Sequence, residues 1–388
     1  PEPSPTPTPD PVGEALAGMT VEQKAAQLLV AGIEGTEPGE DAVQAVQGYQ
    51  VGGVILFGRN VESAEQLAAL TNGLKELNGD YTPLFLCVDQ EGGRVDRMPP
   101  EVSRTPSAWR VGQAMARGTA GAEYGVLLAE ECAAFGFNMD FAPSLDIWSN
   151  PDNTVIGDRA FGGDWEWVTD FGFRAVEAMA ERGDVIPVVK HFPGHGDTAV
   201  DSHTALPVVD KTLEDLWQSE LVPFDMVLSG QFWGEPVMEP APAVMVAHIL
   251  LSQIDPDNPA SLSPEVVTGL LREEMGYEGV VCTDDLTMGA ISNTYGMGEA
   301  AVLAVEAGCD LLLVCHGADN LAAAHAALVE AVESGRISME RLDESVYRVL
   351  SLKAVYGLSN APVEAPDIEA LNDRIAALER SIEADTSQ

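Results

Sequence analysis

The sequence predicts an α/β fold, a closed (β/α)8 barrel in a single domain. Three observations lead there. Eight short apolar runs alternate with helical patterns along the chain, as a parallel sheet covered by helices requires. Titratable residues stand at the C-terminal ends of several of these runs, where a barrel gathers its functional groups. The chain is 388 residues long with 46% hydrophobic content, enough for a large core.

The elements justify themselves in order. Residues 1–13, opening "PEPSPTPTPDP", are rich in Pro, Ser and Thr and read as an extended linker. Such a segment suits the tether of an exported or cell-surface protein, with the tail of a cytoplasmic protein as the alternative. "TVEQKAAQLL" pairs Thr20 with Gln23, and "SAEQLAALTNGLKEL" pairs Ser63 with Gln66, both in capping-box spacing that marks a helix start. The strand candidates are "LLVAGI", "VGGVILF", "PLFLCVD", "NMDFAP", "VIPVVKHF", "AVMVAHI", "GVVCTDD" and "CDLLLVC". Helices are expected over 118–135, 165–182, 264–275, 297–307, 318–334 and 339–355. The segment 229–243, "SGQFWGEPVMEPAPA", lacks periodicity and reads as a long loop or lid rather than a second domain. The barrel domain is expected over 14–360. A C-terminal helix and tail follow over 361–388, where "IEALNDRIAALERSIEA" carries an Ile/Leu/Ala stripe suited to packing on the barrel or on a partner chain.

Composition excludes several functions. Lys and Arg number 20 against 62 Asp and Glu, a formal charge of −42, which repels nucleic acid and anionic lipid and favours a soluble monomer. A salty or extracellular medium would screen the self-repulsion. Cys87, Cys132, Cys282, Cys309 and Cys315 form no CxxC pair, and most lie in or beside apolar runs, so neither a disulfide framework nor a structural zinc is expected. No uncharged apolar run reaches the length of a membrane span.

The polar strand ends are Asp89, Lys190 with His191, His248, and Asp284 with Asp285. Each has a plainer reading: Asp89 as a helix cap, His248 as a satisfied supporting histidine, Asp284 and Asp285 as one cap and one partner for an arginine. Lys190 follows "VIPVV" and should be interior. The stretch "VVKHFPGHGDTAVDSHTALP" is not a phosphate loop, because its lysine precedes its glycines and no apolar helical run follows. A metal site could use His191, His195 and Asp197, but "HFPGH" holds Pro and Gly and is not helical. Acid–base chemistry fits better. Asp201 and His203 stand two apart, so on extended backbone the carboxylate can orient the imidazole and stabilise its protonated form.

The run KHFPGHGDT followed by DSH, with "VDQEGGRVDR" and "GDRAFG" before and "TDDLTM" after, resembles the bacterial β-N-acetylglucosaminidases of glycoside hydrolase family 3, over about residues 20–356. The resemblance implies a barrel enzyme without cofactor or metal that releases non-reducing terminal N-acetylglucosamine from β-linked saccharides such as muropeptides or chitooligosaccharides. It implies that Asp284 is the nucleophile and that Asp201 and His203 form the acid/base dyad. Asp89, Arg97, Arg159, Lys190 and His191 would hold the sugar, with His248 in support. Rival readings are β-glucosidase or phosphorolytic activity on the same scaffold, substrate-assisted chemistry steered by Asp284 and Asp285, a metal-dependent barrel hydrolase, and a non-catalytic surface saccharide-binding protein.

Overall fold

In the computed structural model, which describes residues 10–198 and 206–386, the eight apolar runs form eight parallel strands. They are β1 (Leu29–Gly32), β2 (Gly53–Ile55), β3 (Phe85–Val88), β4 (Met139–Asp140), β5 (Ile186–Phe192), β6 (Ala243–Val246), β7 (Val280–Asp285) and β8 (Leu311–Val314). Each pairs with its neighbour in the chain, and β8 closes on β1 through Leu29 opposite Leu312. Alternation along the strands sets the layers. Val30, Ile55, Cys87, Val188, Met245 and Leu313 share an inner core. Leu29, Val54, Leu86, Val189, Val244 and Leu312 belong to the outer core beneath the helices. Continuous apolar runs follow because both faces are buried.

The principal helices are α1 (Pro11–Ala17), α2 (Val21–Gln27), α3 (Ala64–Asn78), α4 (Arg117–Ala134), α5 (Trp165–Arg182), α6 (Leu221–Ser229), α7 (Met297–Ala307), α8 (Ala318–Glu333), α9 (Met339–Val355) and α10 (Ile368–Thr386). α1 starts within the stretch read as linker, because Asp10 accepts a hydrogen bond from the Gly13 N–H and Pro11 suits the first helical position. The rest of that stretch, residues 1–9, lies outside the described residues.

At Thr20 the capping box is complete: Thr20 Oγ1 accepts from the Gln23 N–H at 3.3 Å and Gln23 Oε1 from the Thr20 N–H at 3.0 Å. At Ser63 only half forms. Gln66 turns its side chain away to accept from the Glu62 N–H and to donate to the Thr36 and Asn60 carbonyls. The segment expected as an α-helix over 264–275 is wound as a π-helix over Glu265–Glu274, with the Met275 N–H bonding five residues back to Leu270. Its buried residues, Val266, Val267, Leu270 and Leu271, fall in adjacent pairs four apart, a pattern that fits either winding.

The segment 229–243 is no lid. Gln231–Phe232 and Glu235–Pro236 form a tight antiparallel hairpin. It lies against α5, with the Phe232 ring 4.8 Å from Phe173 and the Trp233 ring 5.7 Å from Trp165. α10 packs on α4 through Leu371, Ile375, Leu378 and Ile382, all buried. α9 closes the barrel floor with Val349 and Leu352. Beside them Lys353 Nζ donates to Gln27 Oε1 at 2.9 Å and to the Gly52 carbonyl at 2.8 Å. No helix among the described residues is long and apolar enough to cross a membrane.

Candidate active site

A cavity of about 210 Å3 opens at the C-terminal ends of the strands, lined on one side by Asp89, Glu91, Arg97, Arg159, Lys190 and His191. Asp284, Asp285, Phe57, Met288 and His316 line the other side. A larger hollow of about 1000 Å3 lies between α1 and α9. Most of its charged side chains pair with one another or outside it, as Arg341 and Arg348 do with Glu344 and Asp343 with Lys24.

The strand ends bring the first group together. Lys190 and His191 are consecutive, so regular alternation would send them to opposite faces. The register of β5 against β6 shifts between Val189 and Phe192, and across that irregularity both side chains reach the cavity. Lys190 Nζ lies 2.6 Å from Asp89 Oδ1 and 2.6 Å from Glu91 Oε1. Arg159 grips Glu91 through Nε and a terminal nitrogen, both at 2.8 Å. Burial would push the Glu91 carboxyl up, but Arg159 and Lys190 outweigh it and hold its pKa well below the usual carboxylate range. Burial would likewise depress Lys190, and Asp89 and Glu91 raise it instead, so the ammonium stays charged.

The loop carrying Asp89, Glu91 and Arg97 is shaped by its glycines and by Gln90. Gly92 and Gly93 have φ of 68° and 55°, and a Cβ at Gly92 would stand 2.5 Å from the Pro106 carbonyl oxygen. The Gln90 amide donates from its main chain to Asp140 and from its side chain to Glu131, while its Oε1 accepts from the Arg97 N–H. Burial pushes the Glu131 carboxyl up to about 8, so it is protonated at neutral pH. Arg97 lines the cavity, and its buried Nε has no partner among the described residues.

Asp146 holds the two histidines. Its carboxylate lies 2.6 Å from His191 Nδ1 and accepts from the His195 main-chain N–H at 2.6 Å. Arg159 lies 3.3 Å from His191 Nε2 on the other side of the ring. Burial would raise Asp146, yet His191 and His195 keep it ionised, its pKa well below the ordinary value.

Asp284 and Asp285 divide their duties. Asp285 Oδ1 accepts from the Thr287 and Cys315 N–H groups, and Oδ2 from the Thr287 hydroxyl with His316 Nδ1 at 3.2 Å. That carboxylate is saturated, by partners other than the arginine expected of a structural aspartate. Asp284 accepts from the Asp285 N–H at 2.8 Å and, among the described residues, pairs with no cation. Burial pushes its carboxyl up, but His248, His191, that N–H and Lys190 together lower it, so it is ionised at neutral pH. His248 sits behind the pair, buried, with Nδ1 2.6 Å from Ser261 Oγ and Nε2 2.9 Å from the Asp285 carbonyl. Burial lowers its pKa, and the neighbouring Asp284 and Asp285 oppose that shift.

Of the residues named from sequence, Asp89, Arg97, Arg159, Lys190, His191 and Asp284 converge on the cavity. His248 stands behind it. Asp201 and His203 lie outside the described residues. The alternative metal set does not converge: His191 faces Asp146, His195 Nδ1 faces Thr198 Oγ1, and Asp197 pairs with Lys211 and Ser149. Among the described residues no group of three His, Cys, Asp or Glu side chains could hold a metal ion. Sequence reasoning passed over Glu91, Asp146 and His316. Glu91 stands two residues from Asp89 in the quoted "VDQEGGRVDR", and His316 directly follows "CDLLLVC", so the strand-end rule could have found both. Asp146 lies three residues beyond "NMDFAP", and only the fold brings it under His191.

Residues 20–352 match the family described as glycosyl hydrolase family 3 N terminal domain. The chain is 34% identical over 346 residues to "Beta-hexosaminidase A" of Pseudoalteromonas piscicida, covering 82% of this chain and 56% of that protein. It is 38% identical over 293 residues to a "Beta-hexosaminidase" of Alkalilimnicola ehrlichii, covering 74% and 80%. Among solved structures, a glycoside hydrolase family 3 beta-N-acetylglucosaminidase from Paenibacillus sp. str. FPU-7 superposes with a TM-score of 0.87 at 42% identity, over 94% of this chain and 69% of that one. The chain therefore belongs to glycosyl hydrolase family 3, whose N-terminal domain accounts for its barrel.

Proposed function

We propose that this protein is a retaining exo-β-N-acetylglucosaminidase that releases terminal N-acetylglucosamine from β-linked glycans such as muropeptides or chitooligosaccharides. The observation that carries the reading is Asp284, an ionised carboxylate on a rigid strand end that forms no ion pair among the described residues. It faces a wall of groups suited to a polyol. The names of the relatives, hexosaminidases and an N-acetylglucosaminidase, support the substrate class.

In this mechanism Asp284 attacks the anomeric carbon and forms a covalent glycosyl-enzyme. The leaving oxygen takes its proton from His203, oriented by Asp201, and neutral His203 then activates the water that releases the sugar. The paired charges of Lys190, Asp89, Glu91 and Arg159 present donors and acceptors to the sugar hydroxyls. Arg97 and His191 line the same wall and complete it. Substrate-assisted chemistry needs a second carboxylate free to steer the acetamido group, and the three donors on Asp285, with His316 Nδ1 beside them, leave it unsuited to that task.

The test is turnover of p-nitrophenyl N-acetyl-β-glucosaminide. Asp284→Ala is expected to lose about a thousandfold or more in kcat, and a 5-fluoro glycoside is expected to label Asp284. Undiminished turnover by the Asp284→Ala protein would reject the reading. For His203→Ala, activity is expected to fall on alkyl glycosides and to persist on aryl glycosides with good leaving groups, which need little protonation.

A further inference from the structure

The hairpin that follows α6 presents a tryptophan in a costly way. Trp233 and Gly234 form its two-residue turn, with φ of 52° and 84°. Positive φ at both positions suits Asn-Gly or Asp-Gly, and a bulky residue at the first is strained. The side chain gains only partial burial in return, being 53% exposed. The strands beneath are well anchored: Phe232 packs on Phe173 and lies under the Arg174 guanidinium, 4.8 Å from its ring centroid. Trp233 is thus held beside the half-buried Trp165, the two rings meeting edge to face at 64°, and Trp165 opens α5 at the catalytic end of the barrel, six residues after Arg159. Stability explains neither the residue type nor its exposure.

We infer that Trp233 and Trp165 form an auxiliary platform, outside the catalytic cavity, on which the sugar rings of a neutral β-linked aminosugar chain stack. Exposed indole faces meet the apolar C–H faces of pyranose rings while ring hydroxyls stay in water. The net charge of −42 repels anionic lipid and nucleic acid and leaves a neutral glycan as the partner that suits the patch. The platform would keep a long substrate near the cavity by raising its effective concentration. This proposal rests on the glycosidase reading.

The test measures retention on chitin beads in an Asp284→Ala background, so that the polymer survives. Trp233→Asn removes the indole and supplies the residue the turn favours, so the variant is expected to fold with unchanged or higher melting temperature. Its retention is expected to fall by about tenfold, while Trp233→Phe keeps part of it. In the otherwise wild-type enzyme, Trp233→Asn is expected to leave kcat/KM on the aryl glycoside unchanged and to slow release of sugar from chitin. Unchanged retention in Trp233→Asn would overturn the proposal. So would transfer of the Trp233 dependence to phosphatidylcholine vesicles or to a self-association seen by light scattering. Absence of aryl glycoside turnover in the wild type would instead remove the reading beneath it, so the two failures are distinguishable.

Discussion

Glu91, on the loop after β3, and Glu131, held behind that loop by Gln90, are in opposite protonation states, because one has cations and the other has only neutral donors. Glu91 neutralises Lys190 and Arg159, so Glu91→Gln leaves two cations under-compensated in a buried place. A loss of about 3 kcal/mol in urea unfolding, with a raised KM, is expected. Its pKa is lower in the folded chain than in the unfolded one. The stability it contributes is therefore present above the unfolded value near 4.5 and lost as pH falls below it, and acid titration of the Gln variant should show a shallower decline. Glu131 runs the other way. Its folded pKa of about 8 exceeds the unfolded value of 4.5, so its contribution is complete below pH 4.5 and disappears as pH rises through 8. Glu131→Gln is expected to be nearly neutral near pH 5 and more stable than wild type at pH 9. At this scale the sequence showed Asp89, Lys190, His191 and Asp284 through a simple rule, that titratable residues ending apolar runs lie on the functional rim. Which carboxylates are charged was not legible, because it depends on cations supplied by other strands.

The strands and most helices were legible because their signals are local. Burial on both faces makes each strand a continuous apolar run, and caps such as Thr20 and Ser63 mark the helix starts. The π-helix over Glu265–Glu274 and the hairpin at 231–236 were not, since a widened turn keeps the same apolar pairs and the hairpin strands span two residues each. α10 illustrates how an amphipathic stripe leaves its partner undefined until the fold supplies one: Leu371, Ile375, Leu378 and Ile382 settle on α4, and Arg110 reaches Glu379 at 3.5 Å. Leu378→Ala is expected to cost about 2–4 kcal/mol in denaturant unfolding without changing kcat.

The whole molecule carries its charge as a liability that salt relieves. With a net −42, raising ionic strength from 0.1 to 1 M shortens screening from about 10 to about 3 Å, and the melting temperature is expected to rise. A second global lever sits in the barrel floor, where burial pushes the Lys353 ammonium down to about 7 from 10.5. Between those values the unfolded chain binds a proton that the folded chain does not. Stability attributable to this group therefore increases with pH across the window, by at most about 1.4 kcal/mol per pH unit. Urea midpoints measured from pH 7 to 10 should show that slope in the wild type and a flatter one in Lys353→Met.

The sequence by itself determined the barrel, the family resemblance and the strand-end residues, because hydrophobic period, capping and motif spacing are written in neighbouring positions. Only the tertiary structure decided that Lys190 joins Asp89 to Glu91, that Asp146 orients His191, that Asp285 is saturated while Asp284 forms no ion pair among the described residues, and that the 229–243 segment presents a tryptophan rather than covering the cavity. The reason is physical: protonation, hydrogen-bond satisfaction and exposure are properties of groups far apart in the chain, and they acquire values only when the closing of the barrel brings those groups together.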